Sequence, residues 1–176
     1  MWSKHKAEQI LGQKETIDKL ELVKTFLTSQ KETPLTNHEV LIAFLRGIDD
    51  KTVGVYCIYG NMSGEVLDIG KSKNLRSRIR QQLIGSVNRK DKNKPRKFTR
   101  LFFAFLQKQG TSEKEYNAST DLQKKEYISS YQDYIFNDRN FLRVVFTQDH
   151  LDAIVLEYVL IEYFKAKGQC DLNFQF

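Results

Sequence analysis

The sequence predicts an α+β fold, in which helices flank a small three-stranded antiparallel sheet. Two short runs rich in β-branched and aromatic residues, Val53–Tyr59 and Glu65–Ile69, surround a glycine-containing turn and predict a β-hairpin. A third run, Phe141–Thr147, predicts the remaining strand. Elsewhere apolar residues recur at helical spacing, and a chain of 176 residues fits one domain with additions.

Residues 1–50 are predicted to form an N-terminal helical arm. Apolar residues recur near helical spacing up to Leu27, Pro34 interrupts the pattern, and the segment Thr36–Glu39 can cap a second helix. No catalytic combination of side chains lies in this segment. We therefore interpret it as a packing arm, a DNA clamp or a subunit interface.

The hairpin leads into a helix that carries three arginines. Gly70 is expected to end the second strand, and the apolar face of the following helix is formed by Leu75, Ile79 and Leu83. The arginines of this helix are Arg76, Arg78 and Arg80. A hairpin followed by such a helix can present a rigid cationic face to a phosphate.

Positive charge is concentrated in the middle of the chain. Residues 51–110 carry 14 Lys and Arg against 3 Asp and Glu, a net charge of +11, whereas residues 1–50 carry −1 and residues 111–176 carry −4. Because a solvated surface usually mixes the two signs, this excess indicates a polyanionic partner, most commonly nucleic acid. A generic basic soluble protein is the alternative.

The segment Gly85–Arg100 is predicted to be a basic loop, since Pro95 and several asparagines disfavour regular structure. Such a loop contacts phosphates and gives affinity without reading sequence, although a solvated loop is the alternative. The DNA-binding candidates in the arginine-bearing segment and in this loop are Lys73, Arg76, Arg80, Arg89, Lys90, Lys92, Lys94, Arg96 and Lys97.

A late helix, from about His150 to Lys165, is apolar almost all round and is therefore predicted to be buried. Two acids interrupt it, Glu157 and Glu162, which lie roughly 140° apart around the helix axis and cannot both face one site. A carboxylate in an apolar helix is costly unless it is paired or binds a cation, and we expect Glu162, which is closer to the polar end of the helix, to be exposed.

Taken in order, these segments resemble the GIY-YIG nuclease family. Gly54-Val55-Tyr56 corresponds to the first signature triplet, Asp68-Ile69-Gly70 to the second, and Arg78 to the helix arginine. The second triplet departs from the family because Asp68 stands where the family has tyrosine. The segment 88–92 is also similar to the phage endonuclease II branch. The resemblance implies a nuclease domain over 51–176, with an insertion over about 85–140.

The resemblance also implies roles for individual residues. It implies that Glu157 binds a divalent metal, Mg²⁺ or Mn²⁺, and that Arg78 holds a nonbridging phosphate oxygen. It implies that Tyr56 takes or relays a proton, with Lys71 as a nearby cation or a phosphate ligand. Asn173 corresponds to a late asparagine that braces the site.

The sequence therefore predicts a metal-dependent DNA endonuclease that acts on double-stranded DNA. The main alternative is a nucleic-acid-binding module that kept the fold and lost activity, with the change at Asp68 as its signature. A repair nuclease is a third option. Cutting both strands would require a homo-oligomer or a partner subunit, because one such domain makes one nick. We expect a cytoplasmic protein with no membrane partner, because no apolar run reaches the ~20 residues of a transmembrane helix.

Overall fold

The computed structural model of the protein describes residues 19–29, 31–60, 65–85 and 98–169. The predicted mixture of helices and antiparallel strands is confirmed, but the predicted number of strands is wrong, because the sheet has four. The elements in chain order are α1 (Lys19–Leu27), β1 (Glu32–Pro34), α2 (His38–Arg46), β2 (Gly54–Gly60), β3 (Val66–Ser72), α3 (Leu75–Leu83), α4 (Arg100–Lys108), α5 (Glu113–Ala118), α6 (Asp121–Ile135), β4 (Asn140–Phe146) and α7 (His150–Ala166).

The strands lie in the order β1-β4-β2-β3, and every neighbouring pair is antiparallel. The predicted hairpin is formed by β2 and β3, and β4 pairs with the other side of β2. In this register Tyr56 lies opposite Gly70 on one side and Val144 on the other. Strand β2 is therefore central, whereas β3 is an edge strand.

The fourth strand, β1, comes from the segment that was expected to be entirely helical. Thr33 pairs with Leu142 of β4, and Pro34 ends the strand. Proline is tolerated here because an edge strand does not need every backbone N–H. A strand of three residues is too short to show a periodic pattern, which explains why the sequence did not reveal it.

The sheet is covered by helices on both faces because the β2 side chains alternate. Tyr56 and Ile58 belong to a core with residues of helices α2 to α6, whereas Val55 and Cys57 belong to a second core with α1 and α7. Tyr131, on helix α6 of the predicted insertion, is fully buried in the first core. No helix in the described ranges has both the length and the apolar character needed to cross a bilayer.

Strand β3 does not end at Gly70, as expected, but continues to Ser72. Gly70 is needed instead for close packing against the neighbouring strand. A Cβ atom at this position would lie 2.5 Å from the hydroxyl oxygen of Tyr56, which crosses over Gly70 from the neighbouring strand. The absent side chain at position 70 therefore makes room for the Tyr56 ring.

Replacing Gly70 with alanine is therefore expected to destabilise the protein by about 2 kcal/mol, because the Tyr56 ring is fully buried and has little room to move. Urea unfolding measures this difference. Gly47→Ala is a matched control, since the nearest atom to a Cβ there is the Phe44 carbonyl oxygen at 3.4 Å. The control should be neutral or stabilising by up to about 1 kcal/mol. Equal stability of the two variants would contradict this account of Gly70.

Candidate active site

A buried hydrogen-bond network surrounds the side chain of Tyr56. Its hydroxyl donates to Oδ2 of Asp68 at 2.9 Å. The amide nitrogen of Gln82 donates to the Tyr56 hydroxyl oxygen at 3.1 Å and to Asp68 Oδ2 at 3.0 Å. Tyr131 donates to the backbone carbonyl of Gln82 at 2.8 Å. Residues from β2, β3, α3 and α6 thus hold one another in place beneath the sheet.

Asp68 connects this network to a cation. Only 1% of its side chain is exposed, and its Oδ1 accepts a hydrogen bond from Nη2 of Arg100 at 2.7 Å. The same nitrogen of Arg100 donates to the Ile69 carbonyl at 3.3 Å. Arg100 begins helix α4, and half of its side chain is exposed. The carboxylate therefore joins a buried phenol to a half-exposed guanidinium.

Glu157 reaches the same strand from helix α7, on the other face of the sheet. Its Oε1 accepts the backbone N–H of Lys71 at 3.1 Å, and its Oε2 binds the Lys71 ammonium group. The two side chains are 13% and 17% exposed. Glu157 is thus a largely buried carboxylate paired with a cation, as a carboxylate in an apolar helix requires.

The outer edge of β3, which is the last strand of the sheet within the described residues, brings these two groups together. An edge strand leaves outward-pointing backbone groups without a partner strand. Arg100 binds the Ile69 carbonyl, and Glu157 binds the Lys71 amide, two residues further along the same edge. The edge of β3 between Asp68 and Lys71 therefore carries two acidic and two basic side chains in a short stretch.

The pKa shifts reflect burial and mutual charge. Burial, reinforced by Asp68, raises the pKa of Tyr56 well above its ordinary value, so the phenol stays protonated. Burial also raises the pKa of Asp68, against the opposing charge of Arg100, and that of Glu157, against Lys71. Burial lowers the pKa of Arg100, but Asp68, Tyr56 and Glu157 together raise it above its usual value. Arg100 thus interacts electrostatically with both halves of the site.

The predicted catalytic residues in the described ranges lie around β3. The positive charge of Arg78, on helix α3, opposes the rise in the pKa values of Tyr56 and Asp68, so it is close to both. Tyr56 itself is fully buried. Tyr59 faces the second core, where its hydroxyl binds Glu32.

The other predicted DNA contacts are only partly described. Lys73 and Arg80 are exposed, and Arg76 pairs with Asp50 at 3.2 Å. Asn173 and the basic-loop candidates lie outside the described residues, and these candidates are Arg89, Lys90, Lys92, Lys94, Arg96 and Lys97. Glu162 is exposed, as expected.

Sequence reasoning missed Gln82 and Arg100 as members of the site. Gln82 lies on the same helix face as Leu75 and Ile79, so a polar residue on an apolar face was the available signal. Arg100 looked like one more positive charge of the basic segment. Its pairing with Asp68, 32 residues earlier in the chain, has no local signal.

Glu157 has the chemistry of a magnesium ligand, although its site would need help from the substrate. No group of three or more His, Cys, Asp and Glu side chains suited to a metal occurs in the described parts of the chain. Mg²⁺ is commonly bound by one or two carboxylates together with substrate phosphates and waters. Oε1 of Glu157 accepts the Lys71 amide, and a carboxylate oxygen has a second acceptor position for a cation.

A cavity of about 280 Å³ lies apart from this edge, at the end of β2 and β3 that contains Tyr59 and Val66. One of its two charged wall residues, Arg143, already binds Glu32 and the Tyr59 hydroxyl. The cavity therefore belongs to the packing between α1, α7 and the sheet. The chemical groups that converge on a common point are those at the β3 edge.

Comparisons of the chain with known protein families, with curated proteins and with solved structures give no match. The GIY-YIG resemblance therefore stays a prediction that rests on the signature residues.

Proposed function

We propose that this chain is a metal-dependent endonuclease that hydrolyses phosphodiester bonds in double-stranded DNA. The observation that carries the proposal is the convergence at the β3 edge of a largely buried glutamate, a lysine and an arginine from separate segments. These residues are Glu157, Lys71 and Arg100. Cleavage of a phosphodiester requires stabilisation of charge on the phosphoryl oxygens, and cations held on a rigid scaffold provide it.

The side chains divide the work according to their exposure. Arg78 can hold a nonbridging oxygen with its planar fork, and Lys71 supplies a second positive charge next to Glu157. Tyr56 is fully buried and stays protonated, so we assign it to holding Asp68 rather than to taking a proton from water. This role differs from the one that the family resemblance implied.

Glu157 is the residue that would hold the divalent ion, with Mg²⁺ or Mn²⁺ as the expected metal. When bound, such an ion stabilises charge on a phosphate oxygen and on the departing oxygen, and it lowers the pKa of a bound water. The protein's own contribution is to fix the carboxylate, which the Lys71 amide holds at the strand edge. A site that contains one carboxylate suits an ion whose other ligands come from the DNA and from water.

A second candidate function is a nucleic-acid-binding module without nuclease activity. Two observations favour it: the Lys71 ammonium group occupies one oxygen of Glu157, and the Tyr56 hydroxyl is turned into the core toward Asp68. Both candidates predict DNA binding, since residues 51–110 carry a net charge of +11. They differ in whether the DNA is cut.

Incubation of the purified protein with supercoiled plasmid DNA and Mg²⁺ or Mn²⁺ distinguishes the nuclease from the binding module. The nuclease proposal expects conversion to nicked or linear plasmid that stops when EDTA is added. Linear plasmid would further indicate that a homo-oligomer cuts both strands, because one site makes one nick. Binding of the same DNA without any cleavage in either metal would favour the binding module.

The double substitution Lys90→Ala with Lys92→Ala is expected to weaken duplex binding and to reduce its salt dependence. Each lost phosphate contact reduces the magnitude of the slope of log K against log salt concentration by about 0.9, so the loss of two contacts reduces it by about 2. Fluorescence anisotropy over a range of salt concentrations measures the slope. Both lysines lie outside the described residues, so this prediction rests on the sequence alone. A slope equal to that of the parent protein would exclude the loop from the interface.

A further inference from the structure

We infer that Arg100 is a second phosphate-binding arginine of this site and that Asp68 is its positioning residue. The inference rests on the proposed function and concerns the position where the sequence departs from the family signature. An aspartate has replaced a tyrosine there, and the structure pairs that aspartate with an arginine from a distant helix. The two residues form one unit that presents a guanidinium at the β3 edge.

The exposure of the two side chains supports this division of roles. Asp68 is 1% exposed and accepts hydrogen bonds from Tyr56, Gln82 and Arg100, so its carboxylate is fixed and out of reach of a substrate. Arg100 is 50% exposed, and its Nη2 group makes the bonds to both Asp68 and the Ile69 carbonyl. A guanidinium whose Nη2 group is fixed by these two hydrogen bonds is oriented before any phosphate arrives.

The charges around Arg100 favour an anion. Arg100 pairs with Asp68 and Lys71 pairs with Glu157, so the charges of the two carboxylates are balanced within the site. The surrounding segment, residues 51–110, carries a net charge of +11, which suits a phosphodiester. Arg100 binds the Ile69 carbonyl, two residues before the Lys71 amide that Glu157 accepts, so its guanidinium lies at the same edge of β3 as the proposed reaction.

The test compares two variants with the parent protein. Asp68→Asn combined with Arg100→Gln removes both charges while keeping groups that can bond to each other, and Arg100→Lys keeps the positive charge without the fork. Binding of a short fluorescein-labelled duplex is measured in EDTA over a range of salt concentrations, and plasmid nicking is measured in Mg²⁺. Arg139→Gln is the matched control, because Arg139 is exposed beside the β4 end that pairs with Gly60, far from Lys71.

The double variant is expected to show a salt slope smaller by about 0.9, as for one lost phosphate contact, and nicking slower by about tenfold or more. Arg100→Lys is expected to keep the parental slope but to nick slowly, because lysine cannot replace a bidentate fork. Arg139→Gln should match the parent in both measurements. A merely structural role for Arg100 would not change the salt slope of a folded variant.

The outcomes separate this inference from the proposed function. If the parent nicks DNA and the double variant, with a parental circular dichroism spectrum, keeps both slope and rate, the inference about Arg100 is overturned and the nuclease proposal stands. If the parent binds without nicking, the salt slope alone decides whether Arg100 contacts phosphate. If the parent neither binds nor nicks DNA, the proposed function and this inference both fail.

Discussion

Replacing Glu157 with glutamine is expected to slow DNA nicking by about 100-fold or more, while duplex affinity changes by about twofold or less. Glutamine keeps an acceptor for the Lys71 amide, so the strand edge remains bonded. It removes the negative charge that attracts a divalent ion. Phosphate contacts by the surrounding cations do not depend on that charge. Single-turnover plasmid nicking and fluorescence anisotropy measure the two quantities.

Glu162→Gln is the matched control for this substitution. Glu162 lies on the same helix, five residues further along, and its side chain is exposed. The control should nick DNA at the parental rate. If both variants nick as fast as the parent, Glu157 is not the metal ligand and the site assignment is wrong.

Replacing Asp68 with alanine is expected to destabilise the protein by about 3 kcal/mol. The substitution removes the acceptor of the buried Tyr56 hydroxyl and one of the two acceptors of the buried Gln82 amide, and it leaves a cavity in their place. Each buried polar group left without a partner costs about 1–3 kcal/mol. The lost hydrogen bond from Arg100 contributes less to the destabilisation, because its half-exposed side chain can be hydrated. Urea unfolding, with the assumption of a two-state transition checked by two probes, measures the difference.

The stability of two further variants is compared with that of Asp68→Ala. Asp68→Asn keeps an oxygen acceptor for Tyr56 and loses only the charge toward Arg100, so its effect should be smaller than that of alanine. Asp133→Ala removes an exposed aspartate of α6 and should change stability by about 0.5 kcal/mol or less. An Asp68→Ala variant as stable as Asp133→Ala would mean that the buried network contributes little to the fold.

Local sequence patterns predicted most of the elements that hold the site. The β-branched and aromatic residues around Tyr56 predicted β2, and the four-residue spacing from Leu75 predicted α3, which ends at Leu83 as expected. The apolar pattern around Glu157 predicted α7, which begins after the cap Asp149. These features were accessible because each is contained within a few turns or one strand.

Features that depend on tertiary contacts were not accessible. Strand β1 exists because Glu32–Pro34 meets β4, more than a hundred residues later. The role of Gly70 was not predicted, because the ring of Tyr56, for which the glycine makes room, lies on another strand. The pairing of Asp68 with Arg100 likewise joins two segments that are 32 residues apart in sequence. In each case the residue that explains the feature is distant in sequence, so no local periodic pattern predicts the contact.

The most direct test of the site is a crystal structure of the Glu157→Gln variant bound to a DNA duplex in the presence of Mg²⁺. We predict a backbone phosphate at the free edge of β3, within hydrogen-bond distance of the Arg78 and Arg100 guanidinium groups and beside residue 157. DNA bound to another surface, with no phosphate near these three positions, would contradict the account.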